Sequence, residues 1–330
     1  MAEPSPGARL PLEYVLPIRR ADRAGEPGLL RYLAWLAERV DVTVVDGSDP
    51  VLFDALGARL PAGVRHLRPT VGGLNGKARG AMTGIRAARH EVVVIADDDV
   101  RYGERSLAAV VEQMDDADFV RLQNVYTAHP WYVRWDTARM LVGRAFGGDF
   151  GGTVALRRSA LERAGGYSTD VLFENLELER TVRFAGGRVI VARDVLVPRV
   201  PPTFRHFLRQ RVRQAYDDFA QPGRLAVELT LLPVVVVAVL ARAWRIVWVL
   251  ALGAVAIAES GRRMGRTRTA VSAAMPLWAP AWAAERAVAV WIALVQRARG
   301  GVGYAGSRIY SAGTPVRLLR ARLSPRGVNP

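Results

Sequence analysis

Three consecutive carboxylates, Asp97-Asp98-Asp99, follow directly on the apolar run Val92–Ala96. Asp97 and Asp99 are two apart, so a turning backbone can aim both at one hard divalent cation. Such an ion would keep water and take its other ligands from phosphate oxygens. The other reading is an acidic turn that merely ends a strand. Upstream, Lys77 is the only lysine in the chain, against 45 arginines. A compact ammonium after Gly72-Gly73-Leu74-Asn75-Gly76, near a helix start, suits a diphosphate or a nucleotide; the alternative is a solvated surface charge. A P-loop is excluded, because Val71 stands where a glycine is needed and no Ser or Thr follows Lys77. Farther on, Glu174 and Glu177 are i,i+3 on one predicted helix face. A carboxylate there could act as a general base beside a sugar-sized cleft, or could complement the helix dipole.

The elements that must position these groups alternate along the chain. Val92–Ala96 is short, unbroken and β-branched, as expected of a buried strand in a parallel sheet. Ligands of such sheets collect at the carboxyl edge, where the three aspartates stand. Strands are also predicted at Leu12–Ile18, Val42–Asp46, Val64–Arg68, Phe119–Gln123 and Val154–Leu156, and helices at Gly28–Arg39, Ala78–Arg89 and Ser106–Met114. The turn Asp46-Gly47-Ser48-Asp49-Pro50 opens a further helix. The aromatic stretch His129–Trp135 reads either as a helix packed on the sheet or as a substrate contact. This alternation predicts a doubly wound α/β sheet, mostly parallel, with helices on both faces and right-handed crossovers.

Composition divides the chain in two. There are no cysteines, which excludes disulfides and Cys-based zinc sites. Of the net charge of +15, residues 225–330 carry +11, from 14 arginines against Glu228, Glu259 and Glu285. That region is also the most apolar, a pairing that points to a membrane surface and away from nucleic acid. Residues 1–224 therefore read as one unit, which holds the candidate chemical groups, and 225–330 as a membrane-associated helical region with a basic tail, which has seven arginines from Arg297 to Arg326. Apolar runs at 229–241 and 246–258 flank Arg242-Ala243-Trp244-Arg245. One long helix would bury both arginines near mid-bilayer at about 2.5–3.5 kcal/mol each, so a hairpin is expected. A third stretch, 270–295, is broken by Pro276, Pro280 and Glu285-Arg286; it would span, or lie in the interface anchored by Trp278, Trp282 and Trp291. A soluble, very apolar helical domain is the other reading. Met1–Arg9 is Pro-rich and lacks an apolar core, which predicts no signal peptide.

Taken in order, Val45-Asp46-Gly47-Ser48, Gly76-Lys77-Ala78-Arg79, Asp97-Asp98-Asp99, Gly151-Gly152-Thr153, Arg157-Arg158, Gly165-Gly166-Tyr167 and Glu174-Asn175…Glu177-Leu178 resemble a family 2 glycosyltransferase. The likeness covers about residues 10–220 and is nearest to the membrane-bound, ceramide-glucosyltransferase-like and polysaccharide-synthase-like branches. It implies a Rossmann-like GT-A fold, a nucleotide-diphosphate sugar donor and a divalent metal, Mg²⁺ or Mn²⁺. By this resemblance Asp46 would contact the base, and Lys77 the nucleotide or its phosphates. Asp97 and Asp99 would form the Asp-x-Asp motif on ribose and metal, with Asp98 beside them at the donor, and Gly151, Gly152 and Thr153 would line the acceptor pocket.

Two departures stand out. Asn175 replaces the aspartate that serves relatives as base, which leaves Glu174 or Glu177, or an impaired enzyme. Gln210-Arg211-Val212-Arg213-Gln214 resembles the Gln-x-x-Arg-Trp motif of processive synthases, but Gln214 replaces the tryptophan. The resemblance thus implies a membrane-anchored, inverting transfer to a lipid or glycolipid. Metal, Lys77 and Arg211 or Arg213 would take the leaving diphosphate's charge. The catalytic domain and the basic tail would both be cytoplasmic, at the inner or plasma membrane. The competing readings are a sugar-nucleotidyltransferase, which Pro17-Ile18-Arg19-Arg20 after the first strand disfavours, and a relative that only binds nucleotide sugar.

Overall fold

The computed structural model describes residues 9–304 and 306–323. The expectation about Met1–Arg9 falls almost wholly outside them, as does Arg326. The chain begins with β1 (Leu12–Ile18), α1 (Glu26–Ala37), β2 (Asp41–Asp46), α2 (Pro50–Gly57), β3 (Val64–Leu67), α3 (Gly76–Ala87) and β4 (Val92–Ala96). It continues through α4 (Glu104–Asp115), β5 (Phe119–Tyr126), α5 (Trp131–Ala145), β6 (Thr153–Arg157), α6 (Arg158–Arg163), α7 (Glu174–Phe184), β7 (Val189–Arg199) and α8 (Phe204–Asp217). The last part comprises α9 (Pro222–Leu240), α10 (Trp244–Arg262), α11 (Thr267–Ala270), α12 (Ala279–Ala298), β8 (Val302–Tyr304), β9 (Ser307–Ile309) and α13 (Val316–Leu323).

The expected mostly parallel sheet is present, with strand order β3-β2-β1-β4-β6-β5-β7. Only β6 runs against the rest. The chain starts in the middle, winds out to β3, and crosses back to β4. The switch point between β1 and β4 therefore opens a crevice at their carboxyl ends. All seven residues of β1 are buried, as a central strand covered on both faces requires. Helix α3 lies close on β1 because Gly80 and Gly84 face it. A Cβ at Gly84 would sit 2.2 Å from Val15 Cγ1. Asn75 caps this helix by accepting from the Lys77 and Ala78 amides, which fixes Lys77 above the crevice.

The region after residue 222 differs in part from expectation. The two apolar runs belong to helices of 19 residues each, longer than the runs themselves. They meet in a turn at Ala241–Ala243, with Arg242 left-handed at φ 54°. Both helices are long and apolar enough to cross a membrane. Val237, Leu240, Trp248, Val249 and Leu252 are exposed along them. At the other end, Gly261 of α10 packs against Leu141 of α5.

The stretch 270–295 is not one continuous helix. It splits into a turn, a 3-10 segment at Met275–Trp278 and α12. One face of α12 is buried against the domain, including Trp282, Val290 and Ala293, so Trp282 is a core residue and not an interfacial anchor. Arg286 on that face is 1% exposed and pairs with Asp218 at 2.8 Å, which ties α12 to the domain. The described part of the basic tail also returns to the domain. Leu172 and Phe173 donate their amides to the Ser311 and Ala312 carbonyls, and Arg322 reaches the Gly166 carbonyl.

Candidate active site

A cleft of about 2510 Å³ opens at the carboxyl edge of β1 and β4. At its centre Lys77 Nζ lies 2.6 Å from Asp97 Oδ1 and 2.8 Å from Glu174 Oε1. The fold thus joins the start of α3, the end of β4 and the start of α7. Burial alone would lower the Lys77 pKa, but Asp97 and Glu174 outweigh it, and the ammonium is held above its ordinary range. Burial likewise works against ionised Asp97, but Lys77 and Arg199 dominate and keep its pKa low.

Arg199, at the end of β7, was not anticipated from sequence. It donates through Nε to Asp99 Oδ2 at 2.9 Å and through Nη2 to Asp97 Oδ2 at 3.3 Å. Backbone bonds hold it there: Val200 donates to the Asp99 carbonyl, and Arg101 to the Pro198 carbonyl. Burial pushes the Asp99 carboxyl up, Arg199 offsets part of that, and the Asp97 charge adds to it. Asp98 is exposed at the rim.

Asp97 and Asp99 together offer a donor set for a divalent ion. Asp99 Oδ1 is buried with no hydrogen-bond partner. Asp97 stands beside it as the second hard oxygen donor. Among the described residues no group of three or more His, Cys, Asp or Glu joins them. Two carboxylates suit an ion that fills its remaining positions with water and phosphate oxygens, so the residues fit Mg²⁺ or Mn²⁺.

The other anticipated residues divide. Asp46 is fully buried; it accepts from the Ser48 amide at 2.8 Å and pairs with His66 Nε2 at 3.3 Å, beneath the cleft wall. The wall itself is formed there by Pro17–Ala21 and Asp49. Gly151 lines the cleft, while Gly152 and Thr153 are buried behind it. Gly152 presses on the site from below, since a Cβ there would lie 2.6 Å from Asp97 Oδ2. Thr153 Oγ1 bonds the Ile95 carbonyl and the Tyr102 hydroxyl.

Asn175 lines the cleft and donates to the Gly151 carbonyl at 3.2 Å. Glu177 points away from it, is 1% exposed and accepts from the Thr314 amide at 2.9 Å. Gln210 and Arg213 line the cleft, but Arg211 turns inward to Asp136 at 2.9 Å. Arg213 lies over the Tyr304 ring at 5.3 Å, and Tyr304 of the C-terminal hairpin also lines the cleft.

Residues 38–217 match the family model described as Glycosyltransferase like family 2. The chain belongs to this family. It is a glycosyltransferase, and its sheet has the GT-A-like arrangement expected of one. No curated protein matches the sequence. Among solved structures, the glycosyltransferase is similar to the mannosyltransferase PcManGT from Pyrobaculum calidifontis in complex with GDP-Man and Mn²⁺. The identity is 20%, with 91% of this chain and 79% of that chain covered and a TM-score of 0.47. It is also similar to S. aureus TarS 1-349 in complex with UDP-GlcNAc, at 12% identity, 60% and 61% coverage and a TM-score of 0.41. The chain thus spans less than two thirds of that TarS chain's length.

Proposed function

We infer that this glycosyltransferase is anchored in a membrane and moves a sugar from a nucleotide-diphosphate sugar to a lipid acceptor with inversion. The observation that carries the reading is the continuity of the cleft. The same cavity that holds Lys77, Asp97 and Glu174 runs to Leu232 and Val235 of α9 and Val247, Ala254 and Ile257 of α10. One end thus suits a charged, phosphate-bearing donor and the other an acyl or prenyl chain.

In a single displacement the acceptor oxygen attacks the anomeric carbon opposite the diphosphate, which inverts that centre. Lys77, Arg199 and Arg213 would hold and neutralise the leaving diphosphate. Asp97 and Asp99 would hold a divalent ion, whose contribution is Lewis-acid stabilisation of the same leaving charge. Asn175 and Gly151 would fix the sugar end by hydrogen bonding.

Each helix of the hairpin is roughly 28 Å long at 1.5 Å rise per residue, close to the hydrocarbon thickness. The turn carries Arg242 and Arg245 near its tip, whereas Arg262, Arg263, Arg266 and Arg268 cluster at its base. That excess at the base, with the arginines of the returning 297–323 segment, supports a catalytic domain on the cytoplasmic side.

The test uses the full chain, a panel of nucleotide sugars and phosphatidylcholine vesicles carrying a lipid extract. Wild type should float with the vesicles and glycosylate a lipid. The double variant Leu240→Glu/Trp248→Glu should stay in the aqueous phase, bind donor normally and lose lipid transfer. A variant that transfers to lipid at the wild-type rate would remove the hairpin from the reading.

A further inference from the structure

The cleft is lined by many carboxylates, and almost all are already engaged. Lys77 takes Asp97 and Glu174, Arg199 takes Asp99, and Arg139 takes Asp149. Arg121 and Arg183 take Glu179, while Arg224 and Arg286 take Asp218 and Glu228. Asp49 caps α2 through the Leu52 amide. Asp98 and Asp217 are left, with no cation at ion-pair distance among the described residues. Asp98 sits exposed on the rim. Asp217 is sheltered, and its Oδ1 is buried with no hydrogen-bond partner.

Its position matters as much as its freedom. Gln210, Arg213, Gln214 and Asp217 share one face of α8 and all line the cleft. Asp217 is the last residue of that helix, just before α9 begins at Pro222. It therefore stands at the seam between the charged end of the cleft and the apolar hairpin, where the acceptor's reactive end must arrive.

We propose that Asp217 is the proton acceptor of the transfer. The acceptor hydroxyl oxygen forms its bond to the anomeric carbon as the bond from that carbon to the diphosphate oxygen breaks. The hydroxyl proton passes to the Asp217 carboxylate, and the bonding pair of the broken carbon–oxygen bond leaves with the diphosphate. This assignment rests on the glycosyl-transfer reading above, and it moves the base from α7 to α8. Glu174 is neutralised by Lys77, and Glu177 lies outside the cleft.

The electrostatics agree with this role. Burial pushes the Asp217 carboxyl up to about 8, Arg213 and Arg286 pull it down, and Glu174 and Asp218 push it up. A base poised near neutral pH combines availability with proton affinity.

The test compares wild type, Asp217→Asn, Asp217→Glu and Glu174→Gln in full-length protein. Donors are UDP-glucose, UDP-N-acetylglucosamine and GDP-mannose. Acceptors are diacylglycerol or a prenyl phosphate in phosphatidylcholine vesicles. For wild type, kcat/KM should rise with pH and level off above about 8. Asp217→Asn should lose kcat about 100-fold or more, lose that limb and keep donor affinity. Asp217→Glu should recover part of the rate, and Glu174→Gln should keep the limb. Asp217→Asn within threefold of wild type overturns the proposal, including the case where only the phosphate acceptor, which needs no base, is used. A lost rate with the limb intact, or with donor binding lost in parallel, overturns it as well. Wild type that binds a donor yet transfers to neither lipid fails the lipid-acceptor reading instead.

Discussion

Arg199 donates to Asp99 at 2.9 Å across a hundred residues of sequence. The contact joins the ends of β7 and β4, and the Val200 amide on the Asp99 carbonyl at 2.7 Å doubles it. The arginine occupies oxygens that a divalent ion would also use. Arg199→Gln should therefore bind Mn²⁺ more tightly than wild type without nucleotide, and Asp99→Asn should lose that binding. Isothermal calorimetry with the metal alone decides; identical affinities in all three proteins would remove Asp97 and Asp99 as ion ligands.

Lys77 bridges Asp97 and Glu174, so its loss would unpair two carboxylates as well as removing a phosphate contact. Lys77→Ala should weaken nucleotide-sugar binding at least tenfold. An exposed ion pair contributes only about 0–1 kcal/mol, and a tenfold loss corresponds to about 1.4 kcal/mol. Wild-type affinity in the variant would return Lys77 to the role of a structural cross-link.

Asp217 carries a stability cost whose sign is fixed by its pKa, up at about 8 in the folded chain. Folding disfavours its ionised form, so the cost is absent below the unfolded pKa near 4 and grows until about 8. Asp217→Asn should accordingly gain stability relative to wild type as pH rises from 5 to 8. Thermal melts across that range check it, and a difference in Tm independent of pH would contradict it. Gain in stability with loss of turnover is the pattern expected of a functional buried charge.

Gly152 leaves no room for a side chain beside Asp97. Gly152→Ala should displace the Asp97 carboxylate and lower donor affinity, with about 1–3 kcal/mol of destabilisation from overpacking. Chemical denaturation and donor titration together measure this. Unchanged donor affinity would mean that Asp97 can shift without consequence.

The sequence by itself determined the scaffold of the site. The bounds of β1 and β4 are as read, because a short β-branched run between turn residues has few other states in a buried sheet. Lys77 and Asp97 meet, since a helix start and a strand end at one sheet edge follow from the α/β alternation. Side-chain direction was decided elsewhere. Asp46 and Arg211 have suitable chemistry, but the Ser48 amide and Asp136, the latter 75 residues away on α5, turn them away from the cleft. Arg199 and Asp217 join the site only through strand order and the seating of α8, which spacing along the chain does not encode. The buried pairing of Arg286 with Asp218 likewise seats one face of α12 on the domain. Periodicity is a local property of a chain, whereas the partner of a buried charge is set by which distant elements pack against it, and only the tertiary structure supplies that.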